Sequence, residues 1–391
     1  MIRPAPNRRS VEADSLPGSA FRQFVLKIHS RCDLACDYCY VYTKVDQRWR
    51  ARPVVMARDV VEATAHRIGE HVRAHGLSSV GVVLHGGEPL LAGPARIEHC
   101  VTKIRAAVGE TAEVSVGLQT NGMLLDADYH RLFHQLGIRV GVSLDGDQAA
   151  HDRHRRRRNG QGSHADVVRA LRELSSGRHR SLFSGLLCTI DLRNDPVTTY
   201  ESLLEFQPPA VDFLLPQGNW LRPPPMRDPG SPATPYAEWL IAVFDRWYGA
   251  TPQETSVRMF DEIIHVALGG RSRVEGVGVN RPAAIVVETD GAIERSSTLT
   301  TAYEGAGSIG LHVAEDSFDA AFALCGSHPP AQACLDCDLY RTCGGGLYPH
   351  RFSPERGFVN ASVYCPDLYR LISHIRSRLE RDVATLRNLR P

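Results

Sequence analysis

The sequence predicts an α/β fold built on a parallel β-sheet. From Phe21 to about Pro216, six apolar, strand-like runs alternate with segments whose apolar residues recur at helical spacing. Strands that alternate with helices favour parallel pairing and right-handed crossovers. The chain has 391 residues, which suffices for two domains with substantial cores. The pattern by itself allows a β/α barrel and a doubly wound sheet equally.

The elements of the first half follow from periodicity and from turn residues. The run from Val80 to Leu84 indicates a buried strand, and the Gly86-Gly87 pair after it permits a tight turn. Strands are predicted at 22–29, 80–84, 113–119, 139–144, 183–190 and 211–215. Helices are predicted at 57–75, 93–107, 126–136, 164–177 and 198–206.

The second half changes character along its length. The proline-rich segment 216–225 closes the barrel-like part, and it is read equally as a linker or as a loop that lines a substrate site. Two helices are predicted near 235–250 and 254–268, and a hairpin with the turn Asp290-Gly291 begins at Ala284. A cysteine-rich coil follows, and apolar spacing predicts a last helix from Asp367 to about Leu386 that covers the core.

These elements define four expected segments. Residues 1–20 are polar and contain proline, so we expect a disordered tail there. The α/β core should occupy 21–232 and a helical bridge 233–283, with a small cysteine-rich domain and its C-terminal helix at 284–391.

Composition limits the possible functions. The net charge is +1, which offers no case for binding nucleic acid. No run of eighteen apolar residues and no apolar signal sequence occurs, so we expect neither a membrane span nor secretion, but a cytoplasmic protein. Ten cysteines without a signal sequence indicate metal or redox chemistry rather than disulfides.

The most informative motif is Cys32-x3-Cys36-x2-Cys39, directly after the first predicted strand. Three thiolates on one loop can hold three irons of a four-iron, four-sulfur cluster. The next cysteine, Cys100, is far downstream, so one iron keeps an open position, as catalytic metal sites do. The alternatives are a zinc loop and three unrelated thiols.

This motif resembles that of the radical S-adenosylmethionine (SAM) enzymes, with Tyr38 and Tyr40 on either side of Cys39. The resemblance implies a partial (β/α)6 TIM-type barrel followed by the small cysteine-rich domain. It also implies that Cys32, Cys36 and Cys39 hold a radical-generating 4Fe-4S cluster whose free iron is chelated by SAM. An electron from an external one-electron reductant, of flavodoxin or ferredoxin type, then yields a 5′-deoxyadenosyl radical.

The resemblance extends to loops after the next strands. The segment Gly86-Gly87-Glu88-Pro89 matches the element that binds the amino group of SAM, and Ser143 and Arg155 match contacts to its ribose and carboxylate. Taken singly, pairs such as Asn121-Gly122 are also common turns. The implied cofactor-binding residues are Tyr38, Gly86, Gly87, Glu88, Pro89, Thr120, Asn121, Ser143, Arg155 and Leu215.

The C-terminal cysteines resemble a SPASM domain, which usually carries two auxiliary clusters. In this chain Ser296 and Leu347 stand at two positions that would ligate the first auxiliary cluster. The four cysteines that remain imply one auxiliary 4Fe-4S cluster with no open iron, suited to electron transfer or structure. A four-cysteine zinc site is the alternative, and Cys325 is a further candidate ligand. The implied ligands are Cys334, Cys337, Cys343 and Cys365.

One branch of this family matches especially well, namely the FxsB-type radical SAM/SPASM maturases, which form cyclophanes in ribosomal peptides. Ser297 stands where sulfatase-maturing relatives carry a catalytic carboxylate, which disfavours formylglycine formation. The matching stretches are FRQFVLKIHS at 21–30, LLPQGNW at 214–220, CGGGLYPH at 343–350 and SVYCP at 362–366.

The resemblance implies that a β-carbon radical of a precursor peptide adds to a nearby aromatic ring. The auxiliary cluster would accept one electron, and a base would take one proton; His85, Asp212 and His350 are the candidates. Only 20 residues precede Phe21, so we expect the leader of the peptide to dock on a separate leader-binding protein or on the enzyme's own surface. Another peptide modification, a small-molecule substrate and a non-enzymatic zinc or iron–sulfur protein remain as alternatives.

The run Arg155-Arg156-Arg157-Arg158 has two interpretations. Beyond Arg155, the arginines belong to a solvated loop before a helix that begins near Ser163, or they meet acidic residues of a precursor peptide.

Overall fold

The computed structural model describes residues 20–272, 274–279, 283–325 and 330–388. Within these residues ten strands form one sheet, in the order β10-β9-β8-β1-β2-β3-β4-β5-β6-β7. The strands are β1 Gln23–His29, β2 Ser79–Gly86, β3 Glu113–Thr120, β4 Ile138–Ser143, β5 Phe183–Thr189, β6 Ala210–Leu214, β7 Ser256–Val257, β8 Ala284–Val287, β9 Ala292–Glu294 and β10 Ser308–His312.

Twelve α-helices lie in the described part of the chain. The helices are α1 Arg58–Ala74, α2 Pro94–Val108, α3 Ala127–Leu136, α4 Gln148–His154, α5 His164–Ser175, α6 Pro196–Leu204, α7 Pro235–Tyr248, α8 Arg258–Ala267, α9 Phe318–Leu324, α10 Gln332–Leu335, α11 Tyr340–Cys343 and α12 Cys365–Asn388.

The first six strands confirm the predicted fold class. They are all parallel, and they lie side by side in chain order with helices between them. A doubly wound sheet reverses direction at a switch point, so that a strand returns beside the first one. Strand order 1 to 6 has no such reversal and is that of a partial (β/α)6 barrel. All six predicted strands and all five predicted helices of this half are present.

Alternate residues of each strand face two different environments. On β2, Val80, Val82 and Leu84 are buried, whereas Gly81, Val83 and His85 between them are partly exposed. The buried residues belong to the core shared with helices such as α1 and α2, which pack closely on each other. The other set lines the interior of the partial barrel, so polar groups there are accessible to a substrate.

The predicted hairpin at Ala284 is present, but it does not form a sheet of its own. Its first strand, β8, pairs in parallel with β1, and β9 and β10 follow with antiparallel pairing. The cysteine-rich region is thus joined to the core sheet directly beside the strand that precedes Cys32.

Several boundaries differ from the prediction. The helix expected at 254–268 begins only at Arg258, because residues 256–257 pair with β6 as β7. The short helices α4 and α9 and the strand β10 were not predicted. The last helix, α12, packs on α7 and α8 through residues such as Leu371 and Ile375 and covers the core as expected. The expected tail falls outside the described residues except for Ala20.

No helix in the described segments is both long and apolar enough to cross a membrane. The predicted division into core, bridge and cysteine-rich domain stays a prediction.

Candidate radical cluster and cofactor site

The three cysteines of the first motif lie on the loop that follows β1, at the carboxyl end of the parallel strands. Barrel enzymes place their chemistry at this end. Cys32, Cys36 and Cys39 are all half-buried free thiols. Burial raises the pKa of each thiol, that of Cys36 to about 11 although Arg155 lowers it. A bound metal would deprotonate them, because thiolates are the ligating form.

The arginine run packs directly against this cysteine loop. The Ala35 N–H donates to the carbonyl of Arg156 over 2.7 Å, and Leu34 forms a β-bridge with Arg157. The Arg158 guanidinium donates to the Cys32 carbonyl over 2.8 Å. The backbone of this loop therefore holds the cysteine loop in place, while the side chains of Arg156 and Arg158 are exposed.

Gly86 and Gly87 let the end of β2 approach the cysteine loop. A Cβ on Gly86 would overlap the His29 carbonyl, and a Cβ on Gly87 would overlap Tyr42 Oη and the Arg31 carbonyl. The Gly87 and Glu88 N–H groups donate to the carbonyls of His29 and Arg31, each over 2.9 Å. In this structure the two glycines serve the packing of loop on loop.

Glu88 is buried and joins two loops. One carboxylate oxygen accepts from the Leu90 N–H (3.0 Å) and from the Thr120 hydroxyl (2.8 Å), and the other accepts from the Asn121 N–H (2.8 Å). Burial raises the pKa of Glu88 to about 7, although these donors lower it. Both oxygens of the Glu88 carboxylate are therefore occupied by hydrogen bonds within the protein. A cofactor at this segment would contact the backbone instead.

Asn121 reaches from the end of β3 to the first cysteine. Its amide group donates to Asp33 Oδ1 over 2.7 Å and lies 3.7 Å from Cys32 Sγ. The Leu34 N–H is 3.4 Å from the same sulfur. Hydrogen bonds to cluster sulfur shift the reduction potential, so these two donors are placed to tune a cluster at this loop.

Arg155, Tyr38 and Asp145 form a chain of hydrogen bonds beside Cys36. Arg155 Nη1 donates to Tyr38 Oη over 2.8 Å, and Tyr38 donates to Asp145. Asp145 also accepts from the Thr189 N–H over 2.9 Å. Among the described residues, the buried Nε of Arg155 has no hydrogen-bond partner. A buried, unpartnered guanidinium N–H fits the carboxylate of an amino-acid-like cofactor.

The other predicted cofactor residues lie at the same end of the sheet. Ser143 Oγ accepts from Gln119 Nε2 over 3.0 Å, and Gly141 leaves room for that glutamine. Pro89 and Leu215 are buried at the ends of β2 and β6. The fold thus brings the ten predicted residues to the carboxyl ends of strands, or next to them, around the cysteine loop. Their roles toward SAM stay a prediction.

The three candidate bases lie on three different elements: His85 on β2, Asp212 on β6 and His350 on the 3-10 helix at 348–351. His85 Nδ1 lies 2.7 Å from the Gly86 nitrogen and 3.1 Å from the Gly86 carbonyl oxygen, so the neighbouring backbone occupies this ring nitrogen. Burial and then Lys27 lower the pKa of His85 to about 4. Asp212 is paired with Arg258, and His350 is buried beside Tyr364 with its pKa lowered by burial to about 3.

A buried cluster of charges was not predicted. Lys27, on β1, pairs with Glu288, which follows β8, and Arg52 bridges Glu288 and Glu294. Lys27 is also the register partner of His85. A lysine inside the apolar run Phe24–Ile28 was the sequence signal for a charged group in the interior. Its carboxylate partner, Glu288, comes from the distant hairpin, and nothing in the sequence indicated this pairing.

The four C-terminal cysteines line one cavity, together with apolar residues such as Ala361 and Leu368. Three successive glycines with positive φ (Gly344, Gly345 and Gly346) curve the chain beside it, and the buried Arg351 donates to the carbonyls of all three. Four thiols on one cavity fit a closed four-ligand site, for a 4Fe-4S cluster or for zinc. The ligands around the cavity are Cys334, Cys337, Cys343 and Cys365.

The two positions at which the SPASM pattern has a cysteine and this chain does not, Ser296 and Leu347, lie outside this cavity. Ser296 caps the 3-10 helix at 297–301. Cys325 is buried next to Arg295 and also lies outside the cavity lining.

A third group, His71, His75 and Asp319, has donor atoms close enough for a metal ion. The Phe21 N–H donates to His71 Nε2, however, so the neutral His71 ring carries its proton on Nδ1, which faces Asp319 at 2.6 Å. We therefore interpret the group as hydrogen bonds that hold α9 on α1.

The chain is similar along most of its length to characterised enzymes and to solved structures. Two sulfatase-maturating enzymes match most of the chain. The cysteine-type anaerobic enzyme of Clostridium perfringens (strain 13 / Type A) is 24% identical over 360 residues, 90% of this chain and 95% of that protein. The serine-type enzyme of Bacteroides thetaiotaomicron is 21% identical over 364 residues, 88% of this chain and 86% of that protein.

Solved structures show the same fold. Native anSMEcpe with bound AdoMet and the Cp18Cys peptide has a TM-score of 0.73 at 22% identity, over 93% of this chain and 99% of that one. Streptococcus suis SuiB bound to the precursor peptide SuiA has a TM-score of 0.57 at 12% identity, over 89% and 76%. The model of the Radical SAM superfamily matches residues 26–191. The chain thus carries a radical SAM domain, and this domain contains the loop of Cys32, Cys36 and Cys39.

Proposed function

We propose that this protein is a peptide maturase that joins an aromatic ring carbon to the β-carbon of a nearby residue in a ribosomally made precursor peptide. The observation that carries the proposal is the arrangement of three half-buried thiols beside the unpartnered Nε of Arg155, at the open end of the barrel. The choice of cross-link rests on the resemblance to the FxsB-type maturases.

In this proposal different residues hold the cluster and SAM. Cys32, Cys36 and Cys39 hold a 4Fe-4S cluster, and the backbone at Gly86–Pro89 together with Arg155 holds the amino-acid part of SAM. When bound, SAM and the reduced cluster supply the 5′-deoxyadenosyl radical that removes a hydrogen atom from the peptide. The Arg155–Tyr38–Asp145 chain fixes the guanidinium, because each of its members is held by the next. Fixed donors need little reorganisation during reaction.

The cross-link requires a net loss of two hydrogens from the peptide. One leaves as a hydrogen atom from the β-carbon, and the other leaves the aromatic ring as a proton and an electron. The four C-terminal cysteines would hold an auxiliary 4Fe-4S cluster, which would supply a one-electron acceptor. None of the three candidate bases is favoured by its surroundings, and proton loss from an oxidised ring does not demand a strong base.

Maturation of a sulfatase is the second candidate, since sulfatase-maturating enzymes match about nine-tenths of the chain. Against it, Ser297 offers no carboxylate at the place of the expected base, and the ligands of a first auxiliary cluster are missing at Ser296 and Leu347. We therefore retain the peptide cross-link as the proposal.

The decisive experiment supplies the substrate. Anaerobically reconstituted protein, SAM, dithionite and an aromatic-rich precursor peptide encoded beside the gene are expected to give 5′-deoxyadenosine. The peptide should become two hydrogen atoms lighter per cross-link, with the bond located by tandem mass spectrometry. An unchanged peptide would refute the proposal, and conversion of a sulfatase-derived peptide to formylglycine would favour the second candidate.

Arg155→Lys is expected to weaken SAM binding about tenfold or more. Lysine keeps the charge but loses the planar fork that can bond Tyr38 and a carboxylate together. A hydrogen bond to a charged group contributes about 1.5–3 kcal/mol, which sets this magnitude. Equilibrium binding of SAM to the reconstituted protein measures it. The control is Arg157→Lys, since Arg157 lies two residues from Arg155 and pairs with Asp166 of α5. Equal affinities of the two variants would contradict the assignment.

A further inference from the structure

Glu275 is a carboxylate that belongs neither to the cysteine sites nor to the predicted cofactor residues. It lies between α8 and β8, and its side chain is exposed. Within the part of the chain that the structure describes, it forms no hydrogen bond and no ion pair. Burial nevertheless raises the pKa of Glu275, so protein surrounds the carboxylate on several sides. An accessible group with protein around it faces a recess rather than the outer surface.

The backbone around Glu275 packs on the segment that contains one of the cavity cysteines. The Gly278 N–H donates to the Thr342 carbonyl over 2.7 Å, and Thr342 directly precedes that cysteine. Gly276, the residue after Glu275, leaves room for Leu347, because a Cβ on Gly276 would lie 2.9 Å from Leu347 Cδ2. Glu275 is therefore held close to the segment that would carry the auxiliary cluster.

Two guanidinium groups act on the charge of Glu275, those of Arg258 at the start of α8 and of Arg351. Each of them already has other partners. Arg258 pairs with Asp212, and Arg351 donates to the three carbonyls at 344–346. The two positive charges thus favour the ionised form of Glu275 without a hydrogen bond to its oxygens, which can accept a proton.

The pair of Asp212 and Arg258 shows that this recess opens to the interior of the partial barrel. Asp212 lies between two core residues of β6, so its side chain points away from the core. In the strand register Asp212 pairs with Leu187, and Leu187 pairs with Ser143, so the three side chains share the interior face. Ser143 is one of the predicted cofactor residues. Glu275 therefore borders the space in which the proposed reaction takes place.

Asp212 and His350 are less suitable proton acceptors in the same neighbourhood. Asp212 is engaged by Arg258, and His350 is buried with its Nε2 3.2 Å from Gln217 Oε1. Of these three groups, only Glu275 is both accessible and without a bonding partner in the described segments.

We propose that Glu275 accepts the proton that the aromatic ring loses when the cross-link forms. The inference rests on the proposed function, which leaves the base unassigned. After the β-carbon radical has added to the ring, one electron leaves the ring for the acceptor of the proposed function. The bond between hydrogen and the ring carbon then breaks, its electron pair restores the aromatic ring, and its proton joins a Glu275 oxygen. A negative charge at this place also favours loss of the electron, because the oxidised ring is a cation.

Glu275→Gln tests the proposal, because glutamine keeps the size of the side chain and loses the charge that accepts a proton. With the holoenzyme, SAM, dithionite and the aromatic-rich precursor peptide, cross-linking in a single turnover should slow about tenfold. General bases typically contribute about a hundredfold or more, but an oxidised ring loses its proton readily. 5′-Deoxyadenosine should form at the wild-type rate, so the amount of cross-link per 5′-deoxyadenosine falls. Chromatography with mass spectrometry measures this ratio.

The pH dependence of this ratio is a readout that a merely structural role would not move. In the wild type the ratio should fall as the pH decreases through the pKa of Glu275, because a protonated carboxyl group cannot accept a proton. Burial raises that pKa, so the fall begins at a higher pH than for an ordinary glutamate. The guanidinium groups of Arg258 and Arg351 stay charged throughout. Glu275→Gln should abolish the fall, and Glu275→Asp should keep it along with part of the activity.

Glu315→Gln is the matched control, since it makes the same change on an exposed residue of the turn after β10. It should leave the ratio and its pH dependence unchanged. Iron content, and 5′-deoxyadenosine formed without peptide, show whether Glu275→Gln folds and holds its clusters.

The outcomes separate the possibilities. A wild-type ratio and pH dependence in Glu275→Gln would overturn the proposal, and so would a wild-type ratio that does not change with pH, even if the variant failed to fold. A raised KM for the peptide with an unchanged ratio would show a peptide contact instead and would also overturn it. If the wild type forms 5′-deoxyadenosine but no cross-link, the proposed function itself fails, and the assignment of Glu275 fails with it.

Discussion

Cys36→Ala is expected to lose the N-terminal cluster and with it all reductive cleavage of SAM. Three thiolates from one loop are the whole protein ligand set in this proposal, and two cannot hold a four-iron cluster with an open iron. Iron should fall from about eight to about four atoms per chain, the content of the auxiliary cluster alone. 5′-Deoxyadenosine should fall below detection under dithionite, where the wild type forms it. Metal analysis and chromatography of the products measure the two effects.

The matched control is Cys100→Ala, which makes the same change of thiol to methyl at a fully buried position on α2. It should keep the full iron content, although it loses some packing energy, of the order of 1 kcal/mol. If Cys36→Ala retained its iron and its 5′-deoxyadenosine, the loop would not be the radical site. A loss of iron in Cys100→Ala as well would indicate general misfolding and would leave the assignment without support.

The order of the core elements was predictable because each element has a recognisable apolar pattern within its own stretch of sequence. Buried strands such as β2 are short apolar runs, and amphipathic helices such as α1 repeat their apolar residues on one face. Strand ends were less predictable. The run at 80–84 extends to Gly86, because β1 offers pairing partners as far as His29. A pairing partner that lies nearly sixty residues away in the sequence leaves no mark on the local pattern.

Pairing between strands that are distant in the sequence could not be predicted for the same reason. Nothing near Ala284 indicates that β8 lies against β1 rather than in a separate sheet, so the close link between the two regions had to come from the structure. The helix α4 is different, because Asp147 is a favoured N-cap residue and accepts from the Ala150 N–H. That signal was present, but seven residues with little apolar periodicity did not predict a helix.

The candidate site was predictable as a set of residues but not as a set of contacts. The motif residues all reach the carboxyl end of the sheet, as strand order requires. The contacts of two motif residues differ from those that the motif implies. Gly87 packs against the cysteine loop, and the Glu88 carboxylate accepts from the Asn121 N–H, whereas the motif implies contact with the cofactor. A motif states which residue types a site needs, and only the packed structure shows which atoms remain free for a ligand.

Cys343→Ala is expected to remove the auxiliary cluster and to leave the radical cluster intact. Cys343 and three other cysteines line one cavity, in a region whose helices α10 and α11 have four residues each. A region with so little regular structure depends on its metal for stability. We expect the variant to lose about four iron atoms per chain and part of its thermal stability, and to lose peptide cross-linking. Formation of 5′-deoxyadenosine without peptide should persist, because the radical cluster is intact.

The measurement of 5′-deoxyadenosine distinguishes loss of the auxiliary cluster from misfolding, since a misfolded variant would form no 5′-deoxyadenosine at all. Cys325→Ala is the matched control, because Cys325 is a buried thiol of the same region that lies outside the cavity lining. It should retain both clusters and the cross-linking activity. Zinc in the wild-type protein at one atom per chain, or unimpaired cross-linking by Cys343→Ala, would exclude the auxiliary site as the electron acceptor. The four cysteines would then act in structure alone, because a zinc site has no redox chemistry.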